Sequence, residues 1–210
     1  MKPIVGIIEW PYKDIDGDEV FEVLDALVNK VNENGGIPIG IFPTDTIGSL
    51  KHIKELNHTL SICDAFIKPG ALRIYGYERY IYEYALTHNV PFLGICAGMQ
   101  MMSKQVMEKN ITNHRIDHKI KIIENTLLSE IIKEKEIIVN SKHNYHINDP
   151  GNLTICAMSN DGIIEGIYDE NQLFHLGVQW HPELMNDKSS TLIFQKFIES
   201  ARKNSKQYRR

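Results

Sequence analysis

Through its first half the chain alternates apolar runs of strand length with stretches of helical periodicity, and few architectures accept that order. "IVGII" (4–8), "IPIGIF" (37–42), "DAFIKPG" (64–70) and "VPFLGI" (90–95) are short and apolar. After the first of them, Val20, Phe21, Val23, Leu24, Leu27, Val28 and Val31 recur at helical spacing until Gly35-Gly36 end the pattern. A weaker helix is expected near 47–60 and a further one over "YERYIYEYALTHN" (77–89). Such alternation predicts βαβ units and a parallel sheet, with functional groups at the C-terminal ends of its strands. The exit of the third strand and Cys96 both fall at such ends.

The second half changes character. "EIIVN" (136–140), "LTICAM" (153–158), "IIEGIY" (163–168) and "LFHLGVQW" (173–180) are short strands parted by turn signals such as Asn160-Asp161-Gly162, the signature of antiparallel hairpins. A last amphipathic helix over roughly 189–202 offers Leu192, Ile193, Phe194, Phe197 and Ile198 to the sheet. There is no internal repeat, low-complexity tract or linker. Residues 1–210 are therefore expected to form a single α/β domain, a central and mostly parallel sheet flanked by helices, with antiparallel strands in the second half.

Composition removes several classes of function. At 42% hydrophobic and 24% charged residues, the chain reads as a soluble domain with a substantial core. A net charge of −4 argues against nucleic acid as a partner, and the basic tail "ARKNSKQYRR" reads as a solvated end. No run approaches the roughly 18–20 apolar residues of a membrane span. "MKPIVGIIEW" has neither the length nor the cleavage site of a signal peptide. Cys63, Cys96 and Cys156 are odd in number, far apart and without a C-x-x-C pair. They point to the cytoplasm, with no disulfide framework and no cysteine-based zinc site.

"GICAG" (94–98) directly follows an apolar strand. It has the spacing of a nucleophile elbow, in which a strand stops, one residue takes a strained turn and a helix begins. A thiol at a helix N-terminus ionises more readily, and the thiolate is the reactive form. A core cysteine beside a tight turn is the plainer alternative. A cysteine nucleophile works best beside a histidine that a third group orients. Of nine histidines, His52, His58 and His88 fall on polar helix faces, and His114 and His118 in a polar connection. His181 differs: it follows "LGVQW" at once and precedes Pro182-Glu183, so it projects from a strand end with a carboxylate two residues on. For that tripeptide alone, a solvated turn after a strand is the competing reading.

Taken together, "GICAGMQ" and "GVQWHPE" some 80 residues later resemble the class I glutamine amidotransferase-like superfamily, whose members hydrolyse γ-glutamyl amides with a Cys-His-Glu triad. "VNSKHNYHI" (139–147), "SNDGIIEGI" (159–167) and "AFIKPGA" resemble its free-standing γ-glutamyl-γ-aminobutyrate hydrolase-like branch, so the likeness spans nearly the whole chain. It implies a flavodoxin-like three-layer fold. It also implies Cys96 as nucleophile, His181 as general base and acid, and Glu183 as orienter. Gln100, His143, Asn144 and the Tyr145 backbone would hold the glutamyl group. The N–H groups of Ala97 and Gly70 would form the oxyanion hole, although Ala71 stands where the family usually has a second glycine.

The resemblance thus implies a stand-alone hydrolase of a small γ-glutamyl substrate, with no cofactor, metal, nucleic acid or membrane, and with homodimerisation left open. Two other readings stand beside it: a glutaminase subunit supplying ammonia to a separate synthetase, and a non-catalytic regulatory module. Family substrates include γ-glutamyl-aminobutyrate, folyl-polyglutamate and, in capsule phosphoramidate synthesis, γ-glutamyl-CDP-amidate. The short connection between elbow helix and "VNS" tilts the reading towards the nucleotide-linked substrate. Arg73, three residues past Gly70, would then grip phosphate oxygens, with Tyr75 or Tyr77 as a face for a base.

Overall fold

In the computed structural model, which describes residues 1–42, 53–103, 107–109 and 114–208, β1 (Ile4–Ile8) leads into a hairpin of β2 (Trp10–Lys13) and β3 (Glu19–Glu22). This hairpin corrects the sequence reading: Val20 and Phe21 lie on a strand, and α1 covers only Asp25–Glu33. The turn explains why. The Asp14 carboxylate accepts the N–H groups of Asp16 and Asp18 at 3.0 and 2.9 Å, and Gly17 takes φ 89°. Those local bonds compete with helix formation just ahead of the apolar pattern.

β4 (Ile37–Ile41), α2 (Ile53–Ser61), β5 (Ala65–Lys68), α3 (Gly76–His88) and β6 (Phe92–Ile95) follow the expected alternation. The expected start of α2, 47–52, lies outside the described residues. Next come α4 (Ala97–Met102), β7 (Met107–Lys109), β8 (His118–Ile122), α5 (Leu127–Ile132) and β9 (Glu136–Val139). The order closes with β10 (Tyr145–Ile147), β11 (Thr154–Ser159), β12 (Ile164–Tyr168), β13 (His175–Val178) and α6 (Lys188–Tyr208).

One large sheet runs β4-β1-β5-β6-β13-β12-β11-β8-β9. The pairings from β4 to β13 are parallel, and those from β13 to β9 are antiparallel. Its two halves therefore mirror the change of character seen in the sequence. Both faces are covered. Ile7, Ile67 and Leu93 enter one core with Leu27, Trp180, Phe194 and Phe197, while Ile8, Phe66 and Phe92 enter the other with Leu60, Tyr82 and Met99. Neighbouring residues on opposite faces follow from the period of two in a strand, and burial on both sides from the uninterrupted apolar runs. On α6, Ile193, Phe194, Phe197 and Ile198 of the expected stripe are buried and Leu192 is half-buried against the same core, which Ala201 also joins. Each large aliphatic or aromatic side chain so buried contributes about 1.5–3 kcal/mol. No helix among the described residues is long and apolar enough to cross a membrane.

For function, one pairing matters most. β13 lies parallel to β6 with Val178 opposite Ile95, so both strands deliver the chain to the same edge of the sheet.

Candidate active site

β6 ends at Ile95 and α4 begins at Ala97, leaving Cys96 as the whole turn, at φ 52° and ψ −106°. A non-glycine residue held there carries about 1–3 kcal/mol of strain, tolerated only where the surroundings enforce it. Here they do. The Cys96 N–H donates to the Val178 carbonyl at 2.8 Å, and the Cys96 carbonyl accepts the Gln100 N–H at 3.1 Å. The flanking glycines are required by close approach. A methyl on Gly98 would stand 2.1 Å from the Lys68 carbonyl oxygen, and one on Gly94 would stand 2.7 Å from the Gly98 backbone.

His181 leaves β13 beside this turn. Its Nδ1 lies 2.7 Å from Glu183 Oε1, and its ring and the Cys96 side chain meet under Gly70, close enough for Cys96 to favour the charged ring. A carboxylate only accepts, so Nδ1 carries a proton and Nε2 is the nitrogen left for sulfur. The backbone of His181 is clamped on both sides by Asn140, whose Oδ1 accepts the His181 N–H and whose Nδ2 donates to the His181 carbonyl, each at 2.8 Å. Burial works against a charged imidazole, but Cys96 and Glu183 outweigh it and push the His181 pKa up to about 10. The ring is thus held charged beside Glu183 and Cys96.

The loop after β5 closes over this pair. A methyl on Gly70 would sit 2.8 Å from His181 Cε1 and 3.4 Å from Cys96 Cβ. Ala71 meets no glycine-only geometry, since the described non-glycine residues at positive φ are Asn89, Cys96, Asn125 and Lys133. Gln100 and Tyr145 also come together: the Gln100 amide donates to the Tyr145 carbonyl at 2.8 Å and to Gln179 Oε1 at 3.1 Å.

Other expected residues are engaged elsewhere. Asn144 Oδ1 accepts the Arg115 guanidinium at 3.0 and 2.8 Å, and His143 turns its ring towards His114 at 3.2 Å. Arg73 is exposed on the loop. Tyr77 is buried, its hydroxyl donating to the Glu9 carbonyl and its ring stacked on Tyr75, which removes it as an open face for a base. The other two thiols are shielded: burial, then the charge of Asp64, pushes Cys63 up to about 12, and complete burial raises Cys156.

Sequence reasoning misses three neighbours. Asn140 has no signal within "VNS" beyond its place at a strand end. Lys68 and Glu78 form an ion pair at 3.0 Å with both side chains fully buried. Burial lowers the Lys68 pKa, against Glu78, Cys96 and Glu9, which favour its charge; Lys68 also faces the Trp10 ring at 5.7 Å. Nothing in "FIKPG" distinguishes this lysine from a solvated one. A cavity of about 490 Å³ between α5 and α6, lined by Glu130, Lys133, Lys188 and Glu199 among others, shares no residue with the Cys96 site.

A three-layer α/β sheet with a strained cysteine at one strand exit and a His-x-Glu at the next defines a class I glutamine amidotransferase-like domain. A GMP synthase component from Thermoplasma acidophilum has the same fold, with a TM-score of 0.75 at 19% identity over 100% of this chain and 99% of that one. Within this class, the Peptidase C26 family profile matches residues 75–183, and the chain belongs to that family. A glutamine amidotransferase-like protein of Rickettsia prowazekii is 28% identical over 96% of this chain and 98% of its own. The gamma-glutamyl-gamma-aminobutyrate hydrolase of Escherichia coli is 24% identical over 93% and 92%.

Proposed function

We propose that the protein is a cysteine-dependent hydrolase that cleaves the γ-glutamyl amide bond of a small metabolite and releases glutamate. The observation that carries this reading is the alignment of Cys96, at a strained strand exit, with a His181 ring that Glu183 holds at 2.7 Å. Cys96 Sγ attacks the γ-carbonyl, and the oxyanion that forms is held by the N–H groups of Ala97 and Gly70. Each such donor contributes about 10²–10³ in rate. His181 gives its proton to the departing nitrogen, leaving a glutamyl thioester and a free amine. Water then attacks the thioester carbonyl as His181 takes back a proton, and glutamate and the thiol are regenerated. Glu183 keeps the imidazole in the productive tautomer and does not itself react.

The reading is supported by coverage of nearly all of the γ-glutamyl-γ-aminobutyrate hydrolase of Escherichia coli at low identity. Loss of Tyr77 as a stacking face leaves Arg73 and Tyr75 as the nucleotide-facing candidates on this loop. Mass spectrometry of glutamate release decides the leaving group. The panel holds glutamine, γ-glutamyl-aminobutyrate, folyl-polyglutamate and a γ-glutamyl nucleoside diphosphoramidate. Turnover of a γ-glutamyl compound well above glutamine, abolished in Cys96→Ala and His181→Asn, is the expected result. Efficient ammonia release from glutamine alone would favour a glutaminase subunit. No turnover of any member, with unmodified Cys96 after exposure to a γ-glutamyl electrophile, would leave the regulatory-module reading standing.

A further inference from the structure

Away from Cys96, three histidines from two segments of the chain converge on one buried carboxylate. Glu165 on β12 is fully buried, and its Oε1 lies 3.3 Å from His114 Nδ1, 3.3 Å from His118 Nε2 and 3.6 Å from His143 Nε2. His114 Nδ1 and His143 Nε2 are themselves 3.2 Å apart. Its second oxygen, Oε2, has no hydrogen-bond partner among the described residues.

The outward nitrogens of the rings make the arrangement unusual. His114 Nε2 faces Asp161 Oδ2 at 2.9 Å, His143 Nδ1 faces the Tyr145 carbonyl at 3.0 Å, and His118 Nδ1 faces the Ile116 carbonyl at 3.3 Å. Each of these oxygens only accepts, so each outward nitrogen carries the ring's proton. In the neutral rings all three inward nitrogens then present lone pairs to a carboxylate oxygen. Lone pairs converging in a buried pocket repel unless a proton or a metal ion lies between them.

We propose that His114, His118, His143 and Glu165 form a binding site for one divalent transition-metal ion of the zinc class. Imidazole nitrogen and carboxylate oxygen are its usual donors, at about 2.0–2.1 Å, which places the corners of a tetrahedron about 3.3 Å apart. The four contacts of 3.2, 3.3, 3.3 and 3.6 Å are edges of that size. The ligand atoms of His114, His118 and Glu165 fall within 4.8 Å of one another, and His143 reaches two of the three. Asp161 and the two carbonyls supply the outer hydrogen bonds that orient metal-bound imidazoles. A pocket of about 240 Å³ lined by His114, His118 and Asp161 gives an entry path. The proposal revises the sequence-based expectation of a chain without a metal.

The ion would brace the segment that carries His143. Ser141 Oγ and the His143 N–H both donate to the His114 carbonyl, at 2.7 and 3.2 Å. The same segment supplies Asn140 to His181 and the Tyr145 carbonyl to Gln100. The site is therefore a positioning device for residues 140–145, and its existence does not depend on the reaction proposed above.

Chelator-treated Cys96→Ala protein, in which the reactive thiol cannot compete for metal, is titrated with zinc sulfate by calorimetry and its content read by elemental mass spectrometry after dialysis. One zinc per chain at submicromolar Kd is expected, with a rise in Tm. Asp161→Asn should weaken Kd about 10–100-fold, the range for an outer hydrogen bond, and His118→Ala by at least as much. Cobalt(II) loaded into the same protein, with all four ligands intact, should show the d–d absorption of a four-coordinate ion and lose it to zinc, so the test does not depend on variants that fold. Less than a tenth of an equivalent of zinc, or full affinity in a folded His118→Ala protein, would overturn the proposal.

Discussion

Gly70→Ala adds one methyl where the loop after β5 passes over the Cys96–His181 pair. The new Cβ would stand 2.8 Å from His181 Cε1, and ordinary contacts begin near 3.4 Å, so something must give by about 0.6 Å (3.4 − 2.8). His181 has little freedom, because Glu183 holds its ring at 2.7 Å and Asn140 clamps its backbone at 2.8 Å on both sides. The movement falls on the ring-to-sulfur geometry or on the Gly70 N–H, and either spoils the reacting arrangement. A misplacement of about 1 Å can lower a rate 10²-fold. A shift of about 0.6 Å should then lower kcat by about 10–50-fold, or about 1.4–2.3 kcal/mol of barrier. Global stability should barely change, since alanine restricts the unfolded chain by about 0.4–1 kcal/mol, which offsets part of the clash. The assay is kcat and KM for glutamate release together with a thermal melt, with Ala71→Gly as a control expected to stay within about twofold of wild type. Full turnover in Gly70→Ala would refute the reasoning, as would a loss that merely tracked a collapse in Tm.

Cys96→Gly should be inactive yet more stable than Cys96→Ala by about 1 kcal/mol. Glycine relieves about 1–3 kcal/mol of strain at φ 52° but has its own entropy cost of about 0.5–1 kcal/mol. Thermal denaturation should show a gap of about 2–4 °C, and equal Tm values would deny that the turn is strained. The third prediction concerns His175, whose burial, against the Val90 carbonyl and Asp169, lowers its pKa to about 4 from 6.5. The unfolded chain takes up a proton that the folded chain refuses between those values, so stability is intact above pH 6.5 and falls as pH drops towards 4. At pH 4.5 the loss from this group is about 2.5 kcal/mol. His175→Gln, which keeps a donor for Val90, should lose that much less than wild type between pH 7 and 4.5 in urea unfolding; identical losses would show that His175 does not titrate in this window.

What was legible in the sequence was whatever a short stretch encodes by itself. "GICAG" needs only its neighbours to become a turn, and the glycines that Lys68 and Met102 crowd stand within two residues of Cys96. His181 and Glu183 share a tripeptide for the same reason. The β2–β3 hairpin was hidden because Val20 and Phe21 happen to extend the periodicity of α1, and the Asp14 turn that separates them makes no apolar signal. The histidine cluster was hidden for a different reason. His114 and His118 read as polar connection, and only the pairing of β8 and β12 on either side of β11 brings them to Glu165. Lys68 and Glu78 were opaque likewise, since a buried pair and a solvated pair use the same letters.

The position of β13 has a consequence for how the chain is made. Although it is the last strand in sequence, it lies inside the sheet, between β6 and β12. As synthesis proceeds from the N-terminus, β4-β1-β5-β6 can assemble as one ribbon and β12-β11-β8-β9 as another, each with an open edge waiting for the same four residues. When residues 175–178 arrive, they seal both edges and carry His181 to Cys96 in one step. On the mechanism proposed above, an unfinished chain therefore holds Cys96 without its base and is silent towards other amides in the cell. It also bears two apolar, unpaired strand edges, the kind of surface that recruits other chains and chaperones. Ribosome stalling or clipping ahead of residue 175 should accordingly yield aggregates, never a half-active fragment.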